Sequence, residues 1–217
     1  MSNDKRMADT LISEFTLELA SKAPTPGGGG SAALAAAVGT ALGSMAANLT
    51  IGKKKYAGVE AELKEQCIKA EELRARLLQL ADADAEVFFP LSQAYSLPTD
   101  TKQQQEHKDE VMENALIAAT EIPLEIMRRC AEAVEMLDFV AANTSIMVIS
   151  DAAAGAALCG GALKAASLNV YINVKSMRDQ SAAQSYKKEA AALLEQYVPD
   201  AERVFQSVMD RLNDERI

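Results

Sequence analysis

The stretch Pro24-Thr25-Pro26-Gly27-Gly28-Gly29-Gly30-Ser31 concentrates residue types that could do chemistry. Prolines stiffen the approach, and glycines reach backbone angles that other residues avoid. An alanine-rich stretch follows, so Ser31 is the expected N-cap of a helix running to about Thr50. A loop that opens onto a helix N-terminus offers unsatisfied N–H groups and a favourable dipole to an anion or a polar ligand edge. It is not a phosphate-binding P-loop, because no Lys sits beside the last glycine. Two readings stay open: a tight helix–helix turn, or a ligand loop made of Pro26, Gly27, Gly28, Gly29, Gly30 and Ser31.

Further polar residues stand out against their surroundings. Lys53, Lys54 and Lys55 form a cationic run in an acidic chain. It is either a solvated loop or a patch for an acidic substrate. Asp84 takes the next position on an apolar stripe of helical spacing, where a carboxylate is expensive to bury without a partner. Asp82 reads as an exposed helical charge. Asp151 suits the first turn of a helix. It shares one face with Gly155, Leu158, Ala162, Ala166, Asn169 and Asn173, a face small and apolar in the middle and polar at both ends. His107 lies in a polar run, and Cys159 lies among small residues that suit packing.

These candidates need elements to position them. Met7, Leu11, Phe15 and Leu19 predict a first helix over about Ser2 to Lys22, ended by Pro24 and Pro26. Val59, Leu63, Ala70, Leu73, Leu77, Leu80 and Val87 predict a long helix over about Val59 to Phe89. Pro90 and Pro98 are expected to bracket a turn. A further long helix begins in the polar segment Thr99 to Asp109, is kinked at Pro123, and ends before Ala142. Ser150 is the expected cap of the helix carrying Asp151, and Gln180 to Asn213 form a last helix or pair interrupted at Pro199.

The composition agrees with helices throughout. The 217 residues are 49% hydrophobic and 5% aromatic, with no Trp, 11 Gly and 6 Pro, and alanine is close to a fifth of the chain. Good helix formers dominate, and β-branched and aromatic residues are scarce. The expectation is an all-α fold, residues 1–217 forming one multi-helical domain with long helices. A net charge of −9 argues against a nucleic-acid or anionic-membrane partner. Three separated cysteines and a single histidine make neither a zinc site nor a histidine-rich metal site. No signal-peptide core is visible near the N-terminus, and free thiols suit a cytoplasmic setting. Ala32 to Leu49 is the most apolar stretch, but its alanines, glycines and Asn48 suit a buried helix better than a membrane span.

The stretch PTPGGGGSAALAAAVGTALGSMAANLTIGKKKY resembles the signature of the cyclodeaminase/cyclohydrolase family. That family includes the C-terminal domain of formiminotransferase-cyclodeaminase and stand-alone methenyltetrahydrofolate cyclohydrolases. Asp84-Ala85 with Phe88, Leu97-Pro98, Ile122-Pro123-Leu124, Asn143, Ser150-Asp151, and Asn169-Val170 with Ile172-Asn173 match in order. Ala142 departs from a Gly often found there, and Lys108 stands where an Arg is common. The resemblance implies an all-helical homodimer binding a tetrahydrofolate between helices. It implies hydrolysis of 5,10-methenyltetrahydrofolate to 10-formyltetrahydrofolate, or deamination of 5-formiminotetrahydrofolate to the methenyl compound. A 217-residue chain without a formiminotransferase domain favours the first; a non-catalytic helical dimer or folate-binding module is the third reading, and the Gly loop, the Lys run and the Asp84 and Asp151 pair count against it. Both reactions shuttle protons around a tetrahedral carbon and need no cofactor. Asp84 and Asp151 are then the acidic pair, one reading the pterin and one working at the one-carbon centre within about 10–12 Å, the span of a pterin and its bridge. Lys55 is the candidate proton exchanger, Lys53 and Lys54 suit the glutamate tail, and Asn169 and Asn173 orient the ligand.

Overall fold

The computed structural model describes residues 6–214, and every regular element among them is helical. After a short 3-10 turn at Met7–Asp9 come α1 (Ile12–Leu19), α2 (Gly28–Asn48), a second 3-10 segment at Lys54–Val59, α3 (Glu60–Tyr95), α4 (Lys102–Asn143), α5 (Ile149–Val174) and α6 (Gln180–Asp214).

Alanine and glycine let α2 and α5 lie almost backbone to backbone. A Cβ on Gly39 would stand 2.8 Å from the Gly155 carbonyl oxygen, and one on Gly155 would stand 2.6 Å from that of Gly39. Only glycine permits this crossing. The two helices run antiparallel. Gly28 meets Asn169 at one end, Gly39 meets Gly155 in the middle, and Thr50 accepts a hydrogen bond from the Ser145 N–H just before α5. α3 and α4 pack outside this pair with Leu77, Leu80, Leu116, Leu124, Ile126 and Leu137 fully buried. α6 closes the bundle through Val204 and Val208, with Arg128–Glu189 and Tyr197–Glu135 contacts at 2.7 Å on its exposed side. Such exposed polar ties each contribute about 0–1 kcal/mol, so burial holds the bundle.

α2 is also the one described helix long and apolar enough to cross a membrane by length and composition, but 56% of that window is buried against its neighbours. The α3 stripe is buried as its spacing predicts, from Leu63 to Leu80.

Several boundaries differ from the sequence expectation. The first helix is only eight residues and buries Phe15 alone, with Leu11 64% exposed; its expected start near Ser2 falls outside the described residues. Gly27, not Ser31, caps α2, and Ser31 lies inside the first turn with its hydroxyl donating back to the Gly27 carbonyl. Val148, not Ser150, caps α5. Pro90 lies inside α3 and Pro199 inside α6, where turns or interruptions were expected. Both prolines are exposed, as are Glu86 and Glu195, whose carbonyls lose their helical donors.

Candidate active site

The N-terminus of α2, the C-terminal third of α3 and the C-terminal end of α5 converge on a cavity of about 180 Å³. Its polar wall is Asp84, Asn169 and Asn173, and its apolar wall includes Val87, Phe88, Leu91 and Ile172. Gly27 and Gly28 form the rim with Pro24 and Thr25.

Asp84 is held there by local geometry. It continues the buried stripe of α3 past Leu80 and so faces α2. Its Oδ2 accepts the Gly30 N–H at 2.9 Å, one of the first-turn donors with no acceptor inside α2. Its Oδ1 packs against Gly29, where a Cβ would collide with it at 2.1 Å. Burial pushes the Asp84 carboxyl above its ordinary value and outweighs the Gly30 hydrogen bond, which pulls it down. A carboxyl brought closer to neutrality in this way suits the giving and taking of protons.

The two asparagines have their amino groups engaged by protein carbonyls. Asn169 Nδ2 donates to Ala165 at 3.3 Å, and Asn173 Nδ2 donates to Ala119 at 2.7 Å. Asp84 Oδ1, Asn169 Oδ1 and Asn173 Oδ1 therefore remain as acceptors among the described residues. Such a wall suits a planar ligand edge rich in N–H groups, or a cation.

The sequence candidates separate into two groups. Gly27, Gly28, Asp84, Asn169 and Asn173 line the cavity, with Gly29, Gly30, Ser31 and buried Pro26 shaping the turn behind it. Gly30 cannot donate to a ligand while its N–H is held by Asp84. Asp151 sits at the other end of α5, about 27 Å along the axis from Asn169 at 1.5 Å per residue. Lys53, Lys54 and Lys55 follow the far end of α2, with Lys55 over the Tyr56 ring at 5.7 Å. Within one chain, Asp84 and Asp151 therefore do not share a cleft, and the expected 10–12 Å approach is corrected. Helical direction is the reason: the antiparallel α2 and α5 put both partners of the far group at the far end.

Asp82 is not a free surface charge, because its Oδ1 accepts the Met7 N–H at 2.6 Å and ties the N-terminal turn over the glycines. Cys159 is packing: burial pushes its thiol up to about 12. Val87 and Leu91 are site residues that the sequence reading missed as such. They lie three and seven residues after Asp84, on its helix face, and that spacing was the available signal. Among the described residues no His, Cys, Asp and Glu group of three or more could hold a metal ion.

Fold and site define an all-helical protein with a half-buried carboxyl and two fixed amides around a small interhelical cavity. A family model for formiminotransferase-cyclodeaminase matches residues 11–192, and the chain belongs to that family. The methenyltetrahydrofolate cyclohydrolase of Methylorubrum extorquens is 41% identical over 93% of this chain and 97% of its own length. The formimidoyltransferase-cyclodeaminase of Mus musculus is 26% identical over 96% of this chain, which spans only 38% of that longer protein. The crystal structure of formiminotetrahydrofolate cyclodeaminase from Thermotoga maritima superposes with a TM-score of 0.78 at 29% identity, covering 95% of this chain and 97% of that one.

Proposed function

We propose that this protein is a folate one-carbon enzyme that hydrolyses 5,10-methenyltetrahydrofolate to 10-formyltetrahydrofolate. The observation that carries the reading is the Asp84 cavity, in a chain that matches a methenyltetrahydrofolate cyclohydrolase over 93% of its own length at 41% identity. The acceptor wall suits the N–H edge of a pterin, and Phe88 and Ile172 offer it an apolar face. Water attacks the amidinium carbon, forming a C–O bond. The tetrahedral carbon then releases N5, and the ring opens to the N10-formyl product. Asp84 as a carboxylate takes a proton from the attacking water; one proton goes to N5 as the C–N5 bond breaks and the second is released, so the cationic substrate becomes the neutral formyl product. Deamination of 5-formiminotetrahydrofolate is the second reading, favoured by the match to the Thermotoga cyclodeaminase. Pure protein offered each substrate separates the two. Loss of methenyl absorbance marks hydrolysis, its appearance marks cyclodeamination, and neither would sink both.

The cavity is smaller than the roughly 300–1,000 Å³ of sites that engulf a whole drug-sized ligand, so the bulk of a folate lies outside it. We infer that a second copy of the chain completes the site. Val38 and Met45 on α2 and Leu158 and Leu168 on α5 are exposed and run between the two groups of polar residues. A two-fold axis across the middle of this stripe sets the Asp84 end of one copy against the Asp151 and Lys53–Lys55 end of the other. The lysines then meet the anionic tail, and Lys55 and Asp151 approach the one-carbon centre. No cofactor is required, and a cytoplasmic homodimer is the expected form.

The arrangement makes a specific prediction. Asp84→Asn and Asp151→Asn chains, each poorly active alone, should regain roughly a quarter of parental activity after random subunit exchange, because half the dimers then hold one intact site of two. A mixture no more active than its components, or a solution mass of a single 23.2 kDa chain, would refute the shared site.

A further inference from the structure

Three prolines lie inside helices, and they differ in how buried the residue four positions earlier is. Pro90 and Pro199 are exposed, and so are Glu86 and Glu195. Pro123 is fully inside α4, and Ala119, four residues before it, is 6% exposed. Proline has no N–H to give the Ala119 carbonyl, and its ring pushes that carbonyl off the helix axis. A buried carbonyl left without a donor is costly. Here the donor comes from α5: Asn173 Nδ2 lies 2.7 Å from the Ala119 oxygen. Ala119 and Asn173 both line the cavity.

We propose that Pro123 is a positioning residue of the site, which acts by leaving the Ala119 carbonyl open so that it captures the amino group of Asn173 and fixes its Oδ1 as an acceptor for bound substrate. An amide side chain can present either end to a ligand. With an ordinary residue at 123, the backbone N–H would compete for the Ala119 carbonyl and draw it back toward the axis of α4, which weakens its hold on Asn173. The gap in the α4 ladder thus sets the polarity of one wall of the site. This assignment deepens the folate reading above and rests on it for the substrate, but not for the tie itself.

The test is Pro123→Ala, which restores the N–H and improves helix propensity, so the fold is expected to survive. The Asn173 side-chain amide, assigned in a ¹⁵N–¹H spectrum by its disappearance in Asn173→Ala, should shift toward the position of a solvent-exposed asparagine. KM for the methenyl substrate should rise about five- to tenfold, as for one lost hydrogen bond, with kcat within about twofold. In the Asn173→Ala background, Pro123→Ala should change KM no further, because the two residues act as one unit. An unshifted amide signal, or KM effects that multiply in the double variant, would overturn the proposal. If the parent turned over no folate, the functional reading would fail, and the amide signal would still decide the positioning role by itself.

Discussion

Asp84→Asn should lower kcat by ~10²–10⁴-fold, the range for loss of an acid–base group, while the protein stays folded and becomes no less stable at neutral pH. Asparagine keeps the size of the side chain, and its Oδ1 can still accept the Gly30 N–H that Asp84 holds at 2.9 Å. What disappears is the charge. Burial raises the Asp84 carboxyl in the folded state, so the folded protein holds a proton there at pH values where the unfolded chain has released it. Stability therefore falls as pH rises from the unfolded-state value through the raised folded-state value, and the full cost persists above it. Asn carries no such cost. Thermal melts of the two proteins across the acid range isolate this group, since all other carboxylates are shared. The parent should lose ground to the variant as pH rises. A variant that melts well below the parent at pH 7 would identify Asp84 as a paired structural charge, and one that keeps kcat within about threefold would remove it from the reaction.

Asp84 was legible because the α3 stripe is regular enough to make a misplaced carboxylate visible. Asn169 and Asn173 were legible as the polar end of an otherwise small, apolar face. The division of the candidates between two ends of the molecule is also contained in the sequence. Asp151 and Asn169 are eighteen positions apart on one predicted helix, and the helical rise alone separates them by about 27 Å. Face-sharing on a wheel diagram says nothing about distance along the axis. The boundaries failed for a different reason. Capping preference pointed to Ser31, and glycine costs about 1 kcal/mol per residue inside a helix, but tertiary contact overrides both. Asp84 presses on Gly29, and Met7 Sδ would stand 3.3 Å from a Cβ on Gly30, so the first turn of α2 needs residues without side chains. Pro90 and Pro199 were read as stops because proline usually ends a helix. Both lie on exposed stretches of helix, where water is at hand for a freed carbonyl, and that exposure belongs to the folded chain.

The same contact makes Gly29→Ala the second variant of large effect. A Cβ at residue 29 would stand 2.1 Å from Asp84 Oδ1, 2.5 Å from Cγ and 2.6 Å from Oδ2, so the whole carboxylate must move. Stability falls by about 0–2 kcal/mol, since alanine gains about 1 kcal/mol of helix propensity over glycine against about 1–3 kcal/mol for overpacking a close contact. Activity should change much more. Displacing a reacting group by about 1 Å can cost ~10²-fold, and here the displaced group is the Asp84 carboxyl itself. Gly28→Ala is the control one residue away. Its Cβ would meet Asn169 Nδ2 at 3.6 Å, an ordinary contact, so the same gain in propensity comes without moving a polar atom. The expected pattern is a loss of ~10²-fold or more in kcat/KM for Gly29→Ala and a far smaller one for Gly28→Ala, with both proteins melting within a few degrees of the parent. Equal losses would mean that any side chain on the α2 rim blocks the ligand. Near-full activity of Gly29→Ala would mean that the position of Asp84 does not limit the reaction.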